Sequence, residues 1–195
     1  MVISITQKEI ADMSLALLGQ EALSSYEENS RNGRAIRKFY ELSRIAAIED
    51  GKWSFATKRS VLAPTVASPA FDWVYKFTLP NDFLKEQHIR NSSGTNLSSD
   101  IDYTIENGEL LCDQDTVRLI YTFDQTDLTK YTAKFLELFV AKLAAKACYE
   151  ITQSRTEERQ LNDNYRVMLY EALSGDSKGD GEPELEETSS WLRLE

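Results

Sequence analysis

Histidine occurs once in this 195-residue sequence, at position 88, and cysteine twice, at 112 and 148. These are too few, and too far apart, for a disulfide framework or a zinc-ligand spacing. Cys112 falls in a strand-like run and Cys148 in a helix-like one, so both are expected as buried free thiols in a reducing cytoplasm. Long apolar runs are missing too. None reaches the roughly 18 to 20 residues of a membrane span, and Met1-Val2-Ile3-Ser4-Ile5-Thr6-Gln7 has no basic stretch ahead of an apolar core. Neither membrane insertion nor secretion is expected. There is no Gly-x-x-x-x-Gly-Lys and no Gly-x-Gly-x-x-Gly, which removes the common phosphate loops. No cofactor and no metal is expected. An excess of basic charge is also absent: the net charge is −10, which argues against wrapping nucleic acid but is compatible with DNA passing by.

What is present is the composition of a folded chain, 42% hydrophobic, 10% aromatic and 28% charged, long enough to bury a sizeable core. Thr6 and Glu9 have capping-box spacing and Gly19 stands where a helix would stop, so a first helix is expected between them with Ile10, Met13, Leu17 and Leu18 as its apolar stripe. A second is expected from about Ser30 to Glu49, burying Ala35, Ile36, Phe39, Leu42 and Ala46. The aromatic pair in Trp53-Ser54-Phe55-Ala56 follows, and Pro64 and Pro69 keep the next stretch extended or turning. From Trp73 the period becomes two, with Trp73, Tyr75, Phe77 and Leu79 on one side and Val74, Lys76 and Thr78 on the other. Leu84 to Ile89 and Val117 to Phe123 read as further strands, and Asn107-Gly108 marks a hairpin between Ile101 to Glu106 and Glu109 to Cys112. Asn91 to Asp100 is the expected exposed tip.

Helix returns near Thr132, with Phe135, Leu136, Phe139, Leu143, Ala147, Cys148 and Ile151 on a wide apolar face. The alanines at 141, 144, 145 and 147 allow close approach of another helix. A break at Thr152 to Thr156 precedes a fourth helix striped by Leu161, Tyr165, Met168, Leu169 and Ala172. The predicted class is α+β, mainly α. Residues 1–70 and 128–174 form a four-helix core, 71–127 an inserted lobe with a small antiparallel sheet, and 175–195 a flexible acidic tail with a docking tip.

Candidate chemistry is thin. His88 lies in a strand and would have to serve any Ser-His-Asp or Cys-His mechanism. The close acid pairs Glu157-Glu158, Asp100-Asp102 and Asp113-Asp115 have no second ligand cluster nearby, and adjacent acids at a helix start favour the positive end of its dipole. No catalytic residue is therefore assigned. Charge is more telling. Between Arg31 and Arg59 stand Arg31, Arg34, Arg37, Lys38, Arg44, Lys52, Lys58 and Arg59 against Glu41, Glu49 and Asp50, a net of +5. Arg31, Arg34 and Lys38 share a helical face, and that face, with Arg37, is a candidate surface for an acidic partner. The tail opposes it with Asp176, Asp180, Glu182, Glu184, Glu186, Glu187 and Glu195 against Lys178 and Arg193, a net of −5. Yet it carries Trp191 and Leu192 beside Arg193, an apolar tip on a polar leash, which is the make-up of an interface anchor.

The order Leu15-Ala16-Leu17-Leu18-Gly19, basic helix, Trp53-Ser54-Phe55-Ala56-Thr57-Lys58-Arg59, then Tyr75-Lys76-Phe77-Thr78-Leu79-Pro80-Asn81-Asp82-Phe83-Leu84, resembles the head-to-tail adaptor family of short-tailed bacteriophages, the tail tubular protein A family. The helical second half and the late Trp191 and Arg193 also sit where that family has comparable features. The resemblance implies a structural virion protein and not an enzyme, made in the host cytoplasm and placed at the head-tail junction. It implies a twelve-copy (dodecameric) ring that docks on the portal protein, meets the tail nozzle protein and extends the channel through which DNA passes as cargo. In that family assembly commonly waits for the portal, so the free chain is expected as a monomer, and related rings also contact tail fibres. The connector of long-tailed phages, a soluble regulator that binds a partner through Arg31 to Arg44, and a hydrolase using His88 stay open as alternatives.

Overall fold

The computed structural model describes residues 5–67, 69, 71–97 and 103–176. Among them four helices and six strands follow in the order α1 (Gln7–Leu17), α2 (Arg31–Glu49), β1 (Thr57–Leu62), β2 (Tyr75–Thr78), β3 (Phe83–Arg90), β4 (Tyr103–Glu106), β5 (Glu109–Cys112), β6 (Val117–Phe123), α3 (Ala133–Thr152) and α4 (Arg155–Asp176). The class is α+β, mainly α: helices packed on helices, with all strands inserted between α2 and α3.

Helix starts are set locally. Thr6 and Glu9 form the capping box, the Glu9 amide donating to the Thr6 hydroxyl at 3.2 Å and the Thr6 amide to the Glu9 carboxylate at 2.7 Å. Those hydrogen bonds from Thr6 hold the Glu9 carboxyl below its usual range. Ser30 caps α2 through the Gly33 amide and Thr132 caps α3 through the Phe135 amide. The break after Thr152 is a left-handed Gln153 at φ 60°, after which the Ser154 hydroxyl accepts the Glu157 amide and opens α4.

α3 is the axis of the helical body. Twelve of its twenty residues are buried, and α1, α2 and α4 all pack on it. Its small residues do permit close approach: the Ser14 hydroxyl of α1 reaches the Val140 carbonyl of α3 at 3.2 Å while also donating to Ile10. Tyr165 of α4 donates to the Asp50 carboxylate at 2.6 Å, and Lys142 of α3 meets the same group at 2.8 Å. Burial and the adjacent carboxylate push the Tyr165 hydroxyl well above its ordinary pKa.

The lobe holds two antiparallel three-stranded sheets where one was expected, in the orders β1-β6-β3 and β2-β5-β4. Leu62, Ile89, Val117, Leu119 and Tyr121 on one and Phe77, Leu110 and Cys112 on the other form a second core. The hairpin turn is as expected, with Asn107 and Gly108 both at positive φ (49° and 75°) between β4 and β5. The sheet begins earlier than position 71, because β1 lies at 57–62, inside the segment assigned to the helical core. Its residues Thr57-Lys58-Arg59-Ser60-Val61-Leu62 show no clean alternation, and pairing with β6 decides their conformation.

Two helical stripes are rotated from their expected positions. α1 buries Ile10, Ala11, Ser14, Leu15 and Leu18, leaving Met13 and Leu17 at 42% and 50% exposure. α2 buries Ala35, Ile36, Tyr40, Ser43, Arg44, Ala47 and Ile48, while Leu42 is exposed and Phe39 and Ala46 are half-buried. On both buried faces small and polar residues stand among large apolar ones: Ser14 of α1 reaches the Val140 carbonyl of α3, and Tyr40 of α2 packs on Phe139.

Where the chain enters and leaves the lobe, Trp53, Phe55, Tyr131 and Phe135 stack as one aromatic cluster. Ring centroids lie 5.2 Å (Trp53–Phe135), 4.9 Å (Phe55–Phe135) and 4.7 Å (Tyr131–Phe135) apart. Phe135 is fully buried at its centre. Phe135→Ala is predicted to cost about 3–5 kcal/mol of unfolding free energy, and Phe135→Leu much less. Urea unfolding checks this, and a loss below about 1 kcal/mol for the alanine variant would remove the cluster from its central place.

Candidate functional site

The basic face expected on α2 is largely occupied within the chain. The Arg31 guanidinium donates to the Glu150 carbonyl at 2.6 Å and Lys38 pairs with the Glu150 carboxylate at 2.7 Å, so these two meet at the end of α3. Arg34 donates to the backbone and side-chain carbonyls of Asn29 at 2.9 and 3.0 Å. Arg37 is half-buried and donates to the Tyr26 carbonyl and, at 2.9 Å, to that of Glu28, tying down the loop before α2. Arg44 is buried and belongs to the stem of the lobe. Arg34 and Lys38 still present charge to solvent, whereas Arg37 has a structural task. Trp191, Leu192 and Arg193 lie outside the described residues.

Two other faces emerge from the fold. α1 and α4 both pack on α3 and leave between them a groove of about 340 Å³, lined by Ile5, Met13, Leu17, Leu136, Val140 and Met168. Its walls are almost wholly apolar, and among the described residues Glu137 is the one charged residue that lines it. The second is the outer side of the β1-β6-β3 sheet, where Arg59, Arg90 and Arg118 line a shallow depression of about 260 Å³. Sequence reasoning took Met13 and Leu17 for core and left Arg90 and Arg118 unremarked. The apolar residues on two sides of α1 were the available signal for the groove, but the arginine grouping exists only once strand register is known.

The candidate chemical residues do not converge. His88 is exposed on β3, opposite Ile120 of β6. The Asp113 carboxylate accepts the Val74 amide at 3.0 Å, and Glu158 pairs with Arg155 at 2.9 Å at the start of α4. Asp100 and Asp102 lie outside the described residues. Cys112 and Cys148 are both buried, and burial pushes both thiols above their ordinary pKa, which disfavours the thiolate. Among the described residues no group of three or more His, Cys, Asp or Glu is placed to hold a metal ion, and no helix is long and apolar enough to cross a membrane.

No protein-family model matches the chain, and no curated protein matches it.

The α2 contacts separate structural from surface cations. Arg37→Ala is predicted to lower stability by about 1–3 kcal/mol, because two carbonyls lose their donor. Lys38→Ala should change it by no more than about 0.5 kcal/mol, its ion pair with Glu150 being solvent-exposed. Thermal unfolding of both variants checks the contrast; equal losses would refute it.

Proposed function

We propose that the chain is a head-to-tail adaptor of a bacteriophage virion, a structural part that docks as a twelve-copy ring on a portal protein, continues the DNA channel and receives the tail nozzle. The observation that carries the reading is the element order: a short helix ending at Leu-Leu-Gly, a long basic helix, the Trp53 to Ala56 turn, a β-rich insertion and a helical return, in the succession found in the tail tubular protein A family. The apolar groove beside α3 adds support, because no described residue covers it and it is a surface of the kind a partner segment fills.

In this reading the helical body is a wedge and the lobe a lateral arm. No bond is made or broken. Assembly draws on buried interface repeated around a closed ring, so that modest pairwise affinity becomes a stable collar. The tail supplies a tether with Trp191 at its tip, and tail fibres are a further contact of the finished ring.

The test is to mix the purified chain with a preassembled portal ring and measure mass in solution. A small species alone and a collar added to the portal are expected, with weaker docking for a variant lacking residues 177–195. A chain that stays free of portals at both low and physiological salt contradicts the proposal.

A further inference from the structure

The outer side of the β1-β6-β3 sheet brings together three arginines that are distant in sequence, one from each strand. Arg118 of β6 stands opposite Val61 of β1 on one side and Arg90 of β3 on the other, and Arg59 stands opposite Ile120, two residues further along β6. Directly opposite residues of antiparallel strands project to the same side, as do alternate residues of one strand. Arg59, Arg90 and Arg118 therefore share one face, which adjacent-strand spacing makes about 10 Å across from β1 to β3. The other side of the same sheet is buried in the second core, and on this face Arg59, Val61 and Arg118 are exposed around a buried Ile120.

The side chains of Arg59 and Arg118 are exposed and make no ion pair or hydrogen bond among the described residues. The Nε of Arg90 donates to the Asn96 side chain at 2.8 Å, which orients the guanidinium without neutralising it. Like charges on directly opposite residues are unfavourable unless an anion collects them. In a chain of net charge −10 such a grouping is a local exception.

The geometry points to a contact surface for the phosphate backbone of duplex DNA. A guanidinium presents a planar fork that matches phosphate oxygens, and three forks at strand spacing suit a regular line of phosphates. The arginines surround Val61, Ile120 and the exposed His88 but no Phe, Tyr or Trp, so the face lacks the broad stacking platform on which single strands are held. It equally lacks the large apolar or aromatic anchor that dominates protein–protein hot spots. With three contacts on an otherwise acidic chain, the grip is weak and readily released. This assignment stands apart from the adaptor reading: a chain that never docks on a portal can still show it, and a docking chain can lack it.

The experiment is fluorescence anisotropy of a labelled duplex of about 20 base pairs titrated with the intact chain at several salt concentrations. Three phosphate contacts predict a slope of log affinity against log salt of about −2.7, hence about fortyfold weaker binding at 200 mM than at 50 mM. Arg59→Gln/Arg118→Gln should reduce the slope to about −0.9, with an unchanged circular dichroism spectrum showing that the fold is kept. Arg59→Lys/Arg118→Lys keeps the charge and should keep most of the slope. Arg31→Gln/Arg34→Gln on α2 should change nothing. No binding to wild type at low salt, an unchanged salt slope in the double glutamine variant, or tighter binding of the corresponding single strand would each overturn the assignment.

Discussion

A buried guanidinium at the root of the β lobe is the constraint on which the rest of the architecture rests. Arg44 of α2, only 4% exposed at its side chain, holds the Asp124 carboxylate at 2.5 Å and the Gln125 carbonyl at 2.9 Å just beyond β6, together with Glu41 on its own helix. Burial works against its charge, but hydrogen bonds with Asp124, Glu41 and Tyr131 outweigh that cost and raise its pKa. Around it Trp53 donates to the Ala47 carbonyl at 3.0 Å, Gln125 reaches the Phe55 carbonyl and Tyr131 donates to Gln125 at 2.6 Å. Entry and exit strands of the lobe are thus fastened to each other and to α2, and the Phe135 cluster fastens both to α3. Two hydrophobic cores become one body.

That rigidity gives the surface features their meaning. The apolar groove belongs to the helical body and the arginine face to the lobe, and a fixed stem keeps them in constant relation, as a part that must sit between other parts requires. Lys58, Asp82 and Tyr121 brace the lobe side of the stem: Lys58 pairs with Asp82 at 2.5 Å and lies over the Phe123 ring, and Tyr121 donates to Asp82 at 3.0 Å. The Lys58 contact foremost holds the Asp82 carboxyl below its usual range, while burial and the neighbouring carboxylate push the Tyr121 hydroxyl up to about 12. The linkage follows: a carboxylate with a depressed folded pKa contributes stability above its unfolded value near 3.9, and loses it as pH falls through the folded one.

Much of this body was legible in the sequence. Thr6 with Glu9, Thr132, Asn107-Gly108 and the alternation around Phe77 mark features that depend on near neighbours, and each lies where its local chemistry puts it. What was hidden depends on distant partners. β1 has no period of its own and becomes a strand through β6. Met13 and Leu17 look like core because they are apolar, yet the tight crossing at Ser14 and Val140 turns them outward into the groove. Arg59, Arg90 and Arg118 are separated by 31 and 28 positions, and only the register of the sheet gathers them. The α2 cations show the converse: their spacing did place Arg31 and Lys38 together, but no local pattern announces that Glu150 will meet both.

Amide hydrogen exchange on the intact chain tests the central claim that the stem makes the helical body and the lobe one unit. The amides of Ala56, Asp124 and Tyr131 are all hydrogen-bonded in the stem. They should exchange only with the global opening that also exposes the buried stretch of α3 from Phe135 to Cys148. Fast exchange at those three positions while both cores stay protected would contradict it, showing a lobe that hinges freely on the helices.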